Sequence, residues 1–140
     1  MKKLLFIILL TPLALLSYEP DYAMYCDERH DAVSCMKAAF KKRYNTNSYI
    51  DYLTKSCKYG HKDGCYALSK AYIDYKQDPQ KSGEYYLKAC NMGHAKACYD
   101  IGMMAANLNK QFQKNLYLDK SCELGFELAC KSLDKKEDLQ

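Results

Sequence analysis

Lys88-Ala89-Cys90-Asn91-Met92-Gly93-His94-Ala95-Lys96-Ala97-Cys98-Tyr99 decides the fold of this chain. Two cysteines stand eight positions apart, with a glycine three places after the first. The same arrangement occurs at Cys57, Gly60 and Cys65, and again at Cys122, Gly125 and Cys130. Upstream, Tyr52, Tyr85 and Tyr117 agree, as do Lys55, Lys88 and Lys120. The shared pattern is Y-x-x-K-[SA]-C-x-x-G-x-x-x-x-C. A fourth, degenerate copy comes first. In it Asp21 replaces the tyrosine, Met24 the lysine and Arg29 the glycine, and one extra residue precedes Cys35. First cysteines follow one another at steps of 31, 33 and 32 residues. Periods of this size mark arrays of stacked supersecondary units.

Each unit reads as helix, turn, helix. Good helix formers with apolar groups at helical spacing precede the first cysteine. Gly60, Gly93 and Gly125 fall where that helix stops, because glycine takes the left-handed conformation that closes a helix end. A second helical run begins at each second cysteine, and Leu68, Ile101 and Leu133 share one of its positions, a candidate core position. Asp78-Pro79 and the stretch 107–109 mark the turns between units. No segment alternates with period two, so the expectation is all-α, with helices over 19–29, 31–43, 46–58, 63–75, 80–92, 96–107, 112–124 and 127–137.

Met1-Lys2-Lys3 followed by the apolar run 4–16 has the form of a secretory signal, and residues 1–17 are read as a removed leader. The run is shorter than the ~20 residues a membrane span needs, so no span is expected after its removal. Residues 18–137 then form one repeat domain, about three full units plus the degenerate one, and 138–140 a frayed tail. Export agrees with eight cysteines, since disulfides persist outside the reducing cytosol. The expected location is secreted or periplasmic. Pairing within each unit is the simplest arrangement, although eight cysteines allow roughly a hundred pairings.

Loss of Lys2 and Lys3 with the leader leaves 19 basic against 17 acidic side chains, a net of +2. The basic groups are scattered with no aromatic-interleaved stripe, which speaks against nucleic-acid binding. No metal or other cofactor is expected. C-x-x-C spacing is absent. His30, His61 and His94 each follow a first cysteine by four places, one per unit, which suits a solvated or turn-capping role better than a shared ion. Phe126 fills the fourth such place.

The unit resembles the Sel1-like repeat, a relative of the tetratricopeptide repeat. More narrowly, it is similar to the cysteine-rich secreted branch called the Helicobacter cysteine-rich protein family. Lys88-Ala89-Cys90 through Cys98-Tyr99 carries the likeness, which covers roughly residues 22–137. It implies an α/α superhelical solenoid with one disulfide per unit: Cys26–Cys35, Cys57–Cys65, Cys90–Cys98 and Cys122–Cys130. It also implies an exported scaffold for protein–protein interaction. Several members carry a penicillin-binding or weak β-lactamase assignment, so a β-lactam or cell-wall peptide hydrolase is the rival function. The chain departs from the family in a shorter 65–90 stretch without a Gly-x-Gly turn, and in its few repeats.

A serine β-lactamase needs S-x-x-K, whose lysine helps deprotonate the serine, and K-[ST]-G on a strand. Ser34-Cys35-Met36-Lys37, Ser132-Leu133-Asp134-Lys135 and Lys81-Ser82-Gly83 match in letters. S-D-N is missing, and a helical array offers no strand, so no catalytic residue is assigned. The 14 tyrosines without a tryptophan fit an interaction surface better. Tyr52, Tyr85 and Tyr117 recur in every full unit, as packing between units requires. Tyr66, Tyr72, Tyr75 and Tyr99 are the candidates for a face that binds a protein or peptide partner.

Overall fold

The computed structural model describes residues 19–134, and their side chains through 133. Residues 1–17 and 138–140, expected as a leader and a tail, and Lys135 of the second S-x-x-K lie outside the described residues. Eight helices follow in order: α1 (Tyr22–Arg29), α2 (Ala32–Lys41), α3 (Thr46–Lys58), α4 (Lys62–Lys76), α5 (Pro79–Asn91), α6 (Ala95–Asn107), α7 (Gln111–Glu123) and α8 (Glu127–Asp134). Consecutive helices pack on one another, and α1 also reaches α3. No strand occurs among the described residues. The chain is an all-α repeat solenoid.

Local chemistry sets the helix ends. Asn45 and Asp78 accept from the Ser48 and Lys81 amides, capping α3 and α5, and Pro79 occupies the first turn of α5. Gly60, Gly93 and Gly125 have φ of 95°, 81° and 87°, the left-handed conformation their spacing anticipates. The degenerate unit solves the same turn differently. Arg29 stays helical, and the additional residue His30 takes the left-handed position at φ 54°. Asp31 can then cap α2 through the Ser34 amide. Sequence placed the start of the first helix at 19, but it begins at Tyr22. The Asp21 carboxylate accepts from the Ala23 and Met24 amides and fixes the end there.

All eight cysteines are bridged within their units, as 26–35, 57–65, 90–98 and 122–130. Each bridge ties the end of one helix to the start of the next. In the three full units the residues just before the cysteines are small and buried: Ser56, Ala89 and Ser121 before the first, and Gly64, Ala97 and Ala129 before the second. The bridged cysteine Cα atoms stand 4.4 Å apart beside Gly64, 4.6 Å beside Ser34, and 4.7 and 4.9 Å beside Ala97 and Ala129. An added Cβ at Gly64 would lie 2.8 Å from Ser56 Cβ and 3.2 Å from the Cys57 nitrogen. Gly64→Ala is therefore expected to destabilise by about 1–3 kcal/mol despite its better helix propensity. A urea midpoint unchanged or raised would show that the helix pair spreads freely.

Units are joined by hydrogen bonds as well as packing. Ser56 Oγ donates to the Ala32 carbonyl and Ser121 Oγ to the Ala95 carbonyl, both at 2.8 Å. Both bonds run from the first helix of one unit to the second helix of the unit before. Tyr52, Tyr85 and Tyr117 pack on the core, as their recurrence predicts. Lys55 donates to Asp27 of the preceding unit at 2.8 Å, and Lys120 to Asn91 at 3.1 Å. The hydrogen bonds to Asp27 and Asp51 push the Lys55 ammonium above its ordinary value. Of the shared position in the second helices, Leu68 is fully buried, while Ile101 and Leu133 are half-buried.

Candidate functional site

Helix α4 carries Asp63, Tyr66, Lys70 and Asp74 at spacings of three and four, which puts them on one face. That face borders a cavity of about 340 Å³, closed on other sides by Phe40 of α2 and Tyr49 of α3. Tyr75, at the end of α4, forms its outer wall. The rings touch in series: Phe40 and Tyr49 centroids are 6.3 Å apart, and Tyr49 meets Tyr75 edge-on at 6.1 Å. Phe40 is 48% and Tyr75 52% exposed, large fractions for such side chains in one cavity. Burial raises the Tyr49 phenol above its ordinary value, and nearby Tyr75 and Asp74 add to the shift.

The four tyrosines proposed from sequence do not form one surface. Tyr66 and Tyr75 border the cavity. Tyr72 lies on the opposite side of α4 and stacks on Tyr85 of the next unit at 5.4 Å and 15°. Tyr66 also stacks on His94 at 4.3 Å, and its hydroxyl donates to Asp100 at 3.0 Å. Tyr99 occupies the equivalent place one unit on and packs against Phe126 at 5.1 Å. Tyr66 and Tyr99 are thus contacts between neighbouring units, and Tyr75 is the most open of the four.

The histidines sit in turns. His61 Nδ1 accepts from the Gly64 amide at 3.1 Å and His94 Nδ1 from the Ala97 amide at 3.0 Å, so both cap second helices. His94 Nε2 lies 3.4 Å from Asp63 Oδ1. Burial holds the His94 imidazole below its ordinary value of 6.5, outweighing the attraction of Asp63. The neutral ring supplies the capping lone pair, and protonation removes it. Because the folded value is depressed, the stabilisation from His94 is complete above pH 6.5 and is lost as pH falls through the folded value. Asp100 favours and Lys62 opposes the charged form. His94→Asn keeps a capping oxygen without the titration. Between about pH 7.5 and pH 5 its urea midpoint is expected to fall less than that of the parent. Equal falls would assign the pH dependence to other groups.

The β-lactamase-like motifs remain apart. Ser34 is buried in α2, while the Lys37 ammonium lies 4.8 Å over the Tyr22 ring. Lys81-Ser82-Gly83 lies in the first turns of α5, and Ser82 is buried there with an unpartnered Oγ. Among the described residues no three His, Cys, Asp or Glu side chains gather as a metal site would require. No described helix is long and apolar enough to cross a membrane.

No family model, curated protein or solved structure matches this chain.

Phe40, Tyr49, Asp63 and Asp74 were not singled out by sequence. Their signal is a break in the repeat. Counted from the cysteines, Phe40 stands where later units have Lys70 and Met103, and Tyr49 where they have Ser82 and Lys114. Such residues fall outside the shared pattern, although Phe40 and Tyr49 still meet across the first two units.

Proposed function

We propose that this chain is an exported Sel1-like repeat scaffold that binds a protein or peptide through the cavity between α2, α3 and α4. The observation that carries the proposal is the series of rings Phe40, Tyr49 and Tyr75, in which half-buried Tyr49 holds Phe40 and Tyr75 together while those two stay about half exposed. Aromatic side chains on a rigid frame give large contact area at low entropic cost. The frame here is rigid because every unit is bridged. Four intramolecular disulfides suit an oxidising environment, extracellular or periplasmic. Export by a cleaved leader 1–17 belongs to the same proposal.

Selection of peptides from a display library on the oxidised protein tests it. Enriched sequences are expected to lose binding at least about tenfold with Tyr75→Ala, a change worth ~1.4 kcal/mol. Circular dichroism and the urea midpoint should stay near those of the parent, since Tyr75 is half exposed. No enrichment, or enrichment indifferent to both Tyr75→Ala and Phe40→Ala, would sink the proposal.

A further inference from the structure

Lysine and arginine side chains cover many aromatic rings of this protein. Arg29 lies over Tyr25, Lys37 and Lys41 over Tyr22, Lys55 over Tyr52, Lys81 over Tyr72, and Lys96 over Tyr66 and Phe126, all within 6.0 Å of the centroids. Arg43 and Lys58 do the same at Tyr44 and Tyr59. No cation of the described chain stands over Phe40, Tyr49 or Tyr75. Those rings line the cavity described above, and Phe40 and Tyr75 keep about half of their surface exposed to a cation there.

Charge in the cavity points the same way. Asp63 and Asp74 face it against the single cation Lys70. Among the described residues no ion pair joins Lys70 to either carboxylate, and none engages Asp74. Asp63 meets only His94, whose ring burial keeps neutral. An acidic, aromatic hollow therefore sits on a chain whose net charge is +4. Asp74 lines the same cavity as the three rings, so a cation held there lies in the field of a carboxylate. The volume of about 340 Å³ suits one long side chain with its flanking backbone, not a folded domain.

We infer that the cavity between α2, α3 and α4 receives a cationic side chain of an extended peptide, arginine or lysine, packed against Phe40, Tyr49 and Tyr75 and facing Asp74. This deepens the interaction proposal and rests on it. Arginine is favoured because its planar guanidinium stacks on rings and bonds a carboxylate at once. The partner segment is accordingly basic, with an apolar neighbour to occupy the exposed edge of Phe40.

Isotope-labelled oxidised protein titrated with a short synthetic peptide, one arginine flanked by leucines, tests the inference by amide shifts. A second peptide carries citrulline in place of arginine and has the same shape without the charge. Shifts are expected at Phe40, Tyr49, Lys70 and Tyr75, with the citrulline peptide about tenfold weaker. Asp74→Asn, a change at an exposed position, should weaken the arginine peptide about fivefold and leave the citrulline peptide alone. Equal binding of the two peptides, shifts outside the cavity, or no binding overturns the inference. Display-selected peptides without a basic residue that still depend on Tyr75 would also overturn it, while leaving the interaction proposal standing.

Discussion

Reduction of the four bridges at neutral pH is expected to abolish cooperative folding, seen as loss of most of the far-ultraviolet helical signal. Each bridge closes a loop of eight or nine residues. In the chain-entropy treatment such a loop contributes about 2.5 kcal/mol, and four contribute about 10 kcal/mol. A whole domain is stable by about 5–15 kcal/mol. The composition of the core makes the dependence acute. Its fully buried large aliphatics are Leu53, Leu68 and Leu118, and most of the rest is cysteine, alanine and serine. Opening one bridge with the pair Cys57→Ser and Cys65→Ser should lower stability by about 2.5 kcal/mol. A reduced protein that keeps its helical signal and a cooperative urea transition would show that packing alone carries the fold.

Leu118→Ala is expected to cost about 3 kcal/mol, the largest effect of any single truncation in the C-terminal half. Leu118 is fully buried on α7 and lies across from Gly102 of α6. An added Cβ at Gly102 would stand 3.0 Å from Leu118 Cγ and Cδ2 and 3.2 Å from the Lys114 carbonyl. The two positions share one volume, so their substitutions should not add. Gly102→Ala is expected to destabilise the parent by about 1 kcal/mol through crowding. In the Leu118→Ala background the same methyl group enters vacated space, and its helix propensity gain should dominate. The interaction energy of the cycle is then about 1–2 kcal/mol. Additive urea results would mean that α6 and α7 shift apart easily and that Gly102 is not held to its size.

The register of cysteine and glycine makes the helices legible without a structure, because both residues sit where the backbone changes direction. Gly60, Gly93 and Gly125 do so by conformation, and the bridges by distance. The late start of α1 was legible in Pro20, which keeps Glu19 out of the helical region, and in Asp21, whose carboxylate caps the helix at Tyr22. The site was legible in part. Tyr75 was visible as an aromatic outside the recurring ladder, but Tyr66 and Tyr99 share that property and turn toward the next unit. Which tyrosine is covered depends on how neighbouring units are rotated, and no residue spacing records that rotation. Phe40, Tyr49 and Asp74 come from three helices with no common motif. Only their departure from the repeat could have drawn attention to them.

The shortness of the bridged loops also bears on how the correct cysteines find one another. Cys65 has its partner eight positions back, whereas the next cysteine along, Cys90, is 25 positions away. Loop-closure entropy favours the nearer thiol by about 1 kcal/mol, roughly a fivefold higher effective concentration. Nascent helices that meet at the intervening glycine turn widen that preference. A chain emerging from its N-terminus into an oxidising compartment presents Cys26 and Cys35 together, then each later pair in turn. Every pair can close before its competitors arrive. In a chain oxidised from its N-terminus, the loop lengths favour closure unit by unit, and the native pairing would need little reshuffling.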